Sequence, residues 1–564
     1  MKSAFLCTSV AVIGLIATTT GASAQSVGMS NNAGTNQTTT NDSPVFNSAT
    51  INFGSVGLGA SISASATGAV SQVSVSSIGD ASSTSLAIGP VTQATTNANG
   101  SAAVPVTNDA AQINGGGSVA KGGSVQASAT GAVSAVSLSS IEDGSVPTTA
   151  VGDISQTSTN GDNINFSGAA VTNNGATIDL TANGKLSGDG ANVSASATGA
   201  AASVSVSANG STASDTTFGV ISQTVTNNPF SQISNVNVGV TVGDLEGDGA
   251  SAGISATGAV TAVGIVNINS TSGQATTGDI TQGSDNGDYA PVTNLGEIRA
   301  GDVHGDGAGA NIGATGAVAA ISATGINSSI GTVTTGVITQ AASNYDASPV
   351  TNDGTITVGD IHGDGASAGI SATGAVASVG ATNIGGGNGL VTTGAIGQTV
   401  TNTGSDVANG TTSGNSITAG AIHGDGAGAN ISATGAAAAV NATSINTSVS
   451  GAQLQTGDIT QTVTNQGSMI TNSGSITAGN ITGTGASASI SATGAVASIA
   501  VTSIGSPVNG VTTVASVTQN VTNTGSPVMN TGTITVGNVS GTGASASVSA
   551  VGAAAVVSIR SIAN

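Results

Sequence analysis

The sequence predicts an all-β fold, a repetitive parallel β-helix (β-solenoid) of nine modules of about 58–68 residues, on three observations. The first is a fixed period: the core Ala-Thr-Gly-Ala, or a close variant, returns with its glycine at Gly68, Gly131, Gly199, Gly258, Gly316, Gly374, Gly435, Gly494 and Gly552. Such self-similarity is the mark of a repeat architecture. The second is a Gln followed four residues later by Asn, from Gln37/Asn41 through Gln340/Asn344 to Gln519/Asn523, which precedes each of these glycines by 31 to 43 residues. Two independent markers thus count the same modules. The third is alternation: in Gly457-Asp-Ile-Thr-Gln-Thr-Val-Thr-Asn465, Ile459, Gln461, Val463 and Asn465 share one face of a strand and the three threonines the other.

Residues 1–24 read as a removable signal peptide. Lys2 supplies the positive start, Ala4 to Ala17 the apolar stretch and Ala22-Ser23-Ala24 the small-residue cleavage site. The only cysteine, Cys7, lies within it, so the mature chain, 25–564, is expected to be exported without disulfides. Beyond the leader, four basic residues (Lys121, Lys185, Arg299, Arg560) stand against 26 acidic ones. That surface repels phosphate backbones and argues against nucleic acid as a partner. There is no tryptophan, and Gly, Ala, Ser, Thr, Asn and Val dominate. Low charge with positive mean hydropathy does not fit disorder. Several globular domains are excluded because no bulky apolar cluster of domain size exists, and a quasi-one-dimensional stack fits instead.

Along the chain, Gln25 to Asn36 is a candidate first cap. β-branched residues and glycine disfavour helix throughout. In Gly485 to Ile504 the apolar parity slips between Val496 and Ile499, which places a bulge or corner there. Gly457-x-Ile-Thr is echoed 17 residues on at Gly474, and Gly336-x-Ile-Thr 18 residues on at Gly354. The echo favours narrow coils of 18–20 residues, three to a module, and a rod on the order of 130 Å at ~4.8 Å per rung. The rival geometry is one wide coil per module. Because Ile or Val sits two residues before the Gln, as in Ile338-Thr-Gln340, the Gln/Asn pairs are expected to face inward as stacked amide ladders.

The strings Val350-Thr-Asn-Asp-Gly-Thr-Ile-Thr-Val-Gly and Ile470-Thr-Asn-Ser-Gly-Ser-Ile-Thr-Ala-Gly resemble the Asn-x-Gly-x-Ile repeats of large bacterial surface proteins. These are the filamentous-haemagglutinin-like adhesins and autotransporter passengers, whose fold is a right-handed parallel β-helix. The resemblance touches every module and implies a cell-surface or biofilm-matrix role. It departs at the end: Ser558-Ile-Arg-Ser-Ile-Ala-Asn564 is not the strand of a translocating barrel, so a separate exporter or anchor is expected. The spaced Gln and Asn resemble, more weakly, curlin-type functional amyloid repeats.

The sharpest polar signal is His304 with Asp306, His362 with Asp364 and His423 with Asp425, each as His-Gly-Asp-Gly. Stacked modules would set these carboxylates in a column, where a Ca²⁺ or another metal could bridge them. The plainer alternative is a solvated turn with Asp chosen for its geometry, and the sparse ligands favour that alternative over a metal site. No other cofactor is expected. The threonine face degrades in other modules, to Thr281-x-Gly283-x-Asp285 for instance, so an ice-binding plane is not supported. Clustered carboxylates, basic residues and aromatic platforms for a polysaccharide-degrading enzyme are lacking, and no catalytic signature is present. The long uncharged runs alternate with Ser, Thr or Gly and are not membrane helices. The functional expectation is an exported structural or adhesive surface or matrix protein, an elongated β-helical rod that meets polysaccharide or its own copies. The alternatives are a self-assembling fibre subunit and, remotely, a β-helix carbohydrate-active enzyme.

Overall fold

The computed structural model describes residues 29–563 apart from short internal segments, the longest of them 162–169. The candidate leader, 1–24, and the start of the candidate cap lie outside the described residues. Among the described residues there are only strands and turns. The strands form five parallel sheets; three of these hold nine strands each, in an order that steps through the chain one module at a time.

One coil shows the construction. It runs through Val333–Thr335, Ile338–Asn344, Val350–Asn352, Thr355–Val358 and Ile361–His362, turns at Gly363-Asp-Gly365, and returns along one strand of 20 residues, Ser367–Gly386. Each strand hydrogen-bonds to its counterpart one module before and one module after. Ile338 pairs with Ile280 on one side and Ile396 on the other, and Ala368 with Ala310 and Ala429. The earliest coil follows the same register, with Gln37 on Gln93 and Asn41 on Asn97.

This pairing corrects the narrow-coil expectation. The rung is the whole module. Eight steps at ~4.8 Å give a stack rising ~38 Å, not ~130 Å. The echo 17–18 residues apart arises because Ile338 and Ile356 are both core residues, but of different sheets facing different parts of the long strand.

The long strand forms one wall and the shorter strands the other. Ala368 and Ile370 pack against Ile356, Val358 and Ile361; Ala375 and Ala377 against Val350; Ile384 against Val333 and Ile338. Inward positions are therefore even-numbered, then odd, then even again. The parity changes at two places, where the ladder skips Gly374 and Ser378. The slip expected after Val496 corresponds to the second of these, at Ser498, but a first slip at the glycine was not foreseen: after Gly494 it is Ala495 that joins the cluster around Ile470, while Val496 is buried outside that cluster.

The faithful glycine of Ala-Thr-Gly-Ala is explained by close approach. A Cβ on Gly374 would fall inside contact distance of Asn409 Oδ1 and of the Gly435 carbonyl oxygen, and Gly316 and Gly435 meet the same pair of groups one coil away on either side. Only a residue without a side chain lets the long strand pass the asparagine column. The motif is a packing element.

Candidate functional site

The inward Gln and Asn form three columns of side-chain amides. Gln340 Nε2 donates to Gln282 Oε1 at 2.9 Å, and Gln398 Nε2 donates to Gln340 Oε1 at 2.7 Å. Asn344 Nδ2 donates to Asn402 Oδ1 at 2.9 Å, in the opposite axial direction, and to the Ser348 carbonyl at 3.0 Å. A second asparagine column, Asn294 to Asn352 to Asn409, links at 2.7 and 2.9 Å. These amides are nearly fully buried. Burial is tolerated because each finds its partner one rung along. The long strand joins in: Thr382 Oγ1 donates to Gln340 Oε1 at 2.8 Å. The inward expectation for the Gln/Asn pairs holds; the threonine of the facing strand was missed, because its parity could be assigned only once both slips were known.

Beside the second asparagine column runs an axial channel of about 390 Å³, lined in successive coils by residues such as Ile298, Ala314, Asn352, Ile356, Ala372 and Asn409. Its lining is mostly amide and aliphatic, and its carboxylate, Glu297, pairs with Arg299.

The histidines sit at the outer ends of short strands, Val303–His304, Ile361–His362 and Ile422–His423. Their rings stack along the axis, with centroids 4.7 Å apart between His304 and His362 and again between His362 and His423. The histidines and the aspartates of His-Gly-Asp-Gly take different parts in the stack. Asp306, Asp364 and Asp425 lie past the glycine in the turn, where each carboxylate accepts the next coil's backbone N–H: Asp364 N to Asp306 Oδ1 at 3.0 Å, Asp425 N to Asp364 Oδ1 at 2.9 Å, Thr484 N to Asp425 Oδ1 at 2.8 Å. The carboxylates near the histidines are those two residues earlier on the same face: Asp302 Oδ2 is 3.8 Å from His304 Nε2, and Asp360 Oδ2 is 3.9 Å from His362 Nε2. The two-residue spacing in Gly-Asp-Val-His304 carried that signal.

Asp302 and Asp360 are also used in stacking, accepting Asp360 N and Ala421 N at 2.8 and 2.7 Å. Further columns repeat the device, with Asp153 receiving Val220 N and Asp279 receiving Val337 N, both at 2.8 Å. Much of the acidity thus caps backbone amides of the following coil, and like charges are tolerated in a column because a donor lies between them. Among the described residues no group of three or more His, Cys, Asp or Glu is placed to hold a metal ion. The six residues singled out for Ca²⁺ therefore form two separate columns, a stacked-ring column and a turn-capping column.

Burial holds the His362 imidazole below its usual value near 6.5, and the flanking His304 and His423 push the same way against the pull of Asp360 and Asp302. The folded chain then takes up its proton later than the unfolded chain. Stability is unaffected above about pH 6.5 and falls as pH drops through that value toward the folded one. We expect the melting temperature to fall more between about pH 7.5 and 5.5 for the wild type than for His362→Gln. Equal slopes would show that the column does not couple to folding.

Comparison with protein-family models, with curated proteins and with solved structures gave no match. No helix among the described residues is long and apolar enough to cross a membrane.

Proposed function

We propose that the chain is an exported structural protein of the bacterial surface or biofilm matrix, non-catalytic, whose β-solenoid serves as a spacer or adhesive scaffold. One observation carries this reading: the buried amides and many of the acidic residues are spent on holding one coil to the next. A chain built this way commits its chemistry to a stiff, repetitive surface. Export rests on the leader-like residues 1–24, and the surface role on the resemblance to haemagglutinin-type repeats. The supporting experiment is deletion in the native cell with measurement of surface adhesion and matrix retention. Loss of either supports the proposal, and unchanged values for both would refute it.

A second reading, a self-assembling fibre subunit, draws on the amide columns, in which each Gln or Asn bonds its counterpart one coil along. Stacked Gln and Asn ladders of this kind also hold cross-β fibres together. Sedimentation of the purified mature chain over a wide concentration range separates the two: a monomer throughout excludes the fibre.

A further inference from the structure

In a chain with only two tyrosines and six phenylalanines, both tyrosines and one phenylalanine occupy the same exposed corner of three successive coils. Phe230, Tyr289 and Tyr345 lie in the turn between the Gln/Asn strand and the strand that follows it. They are 38%, 57% and 41% exposed. Phe230 and Tyr289 stack face to face, with centroids 5.2 Å apart and planes 3° from parallel. Their backbone is in the left-handed region, φ 64° and 55°. The same turn position in later coils is Ala347, then Gly404, Gly467 and Gly525, with φ between 54° and 63°. Glycine is the residue this turn asks for. A bulky ring there is held at a conformational cost, a pattern that concentrates at functional sites.

Register completes the picture. Phe230 N donates to Asp288 O and Tyr289 N to Asp346 O, so the column runs from Phe230 to Tyr289 to Ala347. The place on Tyr289 that would continue the stack therefore faces a methyl group instead of a third ring. Tyr345, two residues before Ala347, and Asp288 and Asp346 belong to the same two turns.

We propose that this corner is a carbohydrate-binding site: a hexopyranose ring of a polysaccharide lies on the open face of Tyr289, above Ala347, and the polymer it suits is an amino-sugar polymer. The apolar face of a sugar ring matches an aromatic plane. The phenol of Tyr345 and the carboxylates of Asp288 and Asp346 supply partners for hydroxyl and ammonium groups, and an ammonium gains further from the ring itself. A uronate polymer would meet the field of a chain with net charge −21. The inference rests on the surface-scaffold reading and names its ligand.

The test uses the purified mature chain, chito-oligosaccharide as the amino-sugar probe and alginate oligomers as the acidic control, read by titration calorimetry. The wild type is expected to bind the first and not the second. Tyr289→Gly is expected to weaken binding about two- to fivefold, the affinity equivalent of one exposed ring contact, with an unchanged or higher melting temperature because the turn then holds its preferred residue. Tyr345→Ala is expected to weaken binding as well. Wild-type chain that binds neither sugar, as a protein partner for the rings would leave it, overturns the proposal. So does a Tyr289→Gly chain that binds like the wild type. Expression of Tyr289→Gly in the deletion strain separates the two levels. Full rescue of adhesion removes the site but leaves the scaffold, whereas a deletion without phenotype removes the scaffold reading itself.

Discussion

Gly374→Ala is expected to cost about 2–3 kcal/mol, a large penalty for one methyl group. The added Cβ meets Asn409 Oδ1, whose side chain is fixed in the amide column by its bond to Asn472, and the backbone carbonyl of Gly435 in the adjoining long strand. Each coil touches only its neighbours, so the damage should stay local. Hydrogen exchange should accelerate in 309–328, 367–386 and 428–447 and remain slow several coils away. Gly365→Ala is the informative contrast. That glycine has φ 71° and open space around it, so the change brings backbone strain alone, about 1–2 kcal/mol. Equal or smaller loss at Gly374 would contradict the close-approach account of the repeated motif.

Gln340→Leu keeps the side-chain volume and is expected to cost about 3 kcal/mol, because it orphans buried groups rather than emptying space. Thr382 Oγ1 loses its acceptor, Gln398 Nε2 loses its 2.7 Å partner, and Gln282 Oε1 loses a donor. Thr382→Val removes one donor from an oxygen that still accepts from Gln398, so about 1 kcal/mol is expected. Chemical denaturation of the three proteins side by side checks the ranking, and a leucine variant as stable as the wild type would mean that the amide column adds nothing to the stack.

The residues that were legible in the sequence are those whose chemistry depends on parity alone. Ile338, Gln340 and Asn344 face inward because they alternate with Thr339, Ala341 and Ser343, whatever strand lies next door. Choice of neighbour was not legible in the same way. Ile459 and Ile476 carry the same local string, and each is a core residue, so the echo cannot say whether they stack on one another or stand in different sheets. The module period of 58 residues held the answer, since it is the spacing at which Gln340 meets Gln282 and Gln398.

The candidate sites divide similarly. Strand alternation puts Asp302 on the same face as His304, 3.8 Å from its ring, a proximity that the His-Gly-Asp-Gly string does not display. The aromatic corner escaped notice because the scarcity of rings hid their placement. Counting one module on from Phe230 reaches Tyr289, and one more reaches Ala347. What no sequence count could supply was the left-handed turn that makes these rings costly to keep.

The most direct test of the one-coil-per-module architecture is a distance between two spin labels at positions 281 and 518. Residues 25–564 contain no cysteine, so Thr281→Cys and Thr518→Cys in that stretch label cleanly. These positions occupy one outward column, linked through Thr339, residue 397 and Thr460. Four steps of ~4.8 Å predict a backbone separation of ~19 Å. Three narrow coils per module would put the labels twelve steps apart, and a separation of ~58 Å would contradict the architecture.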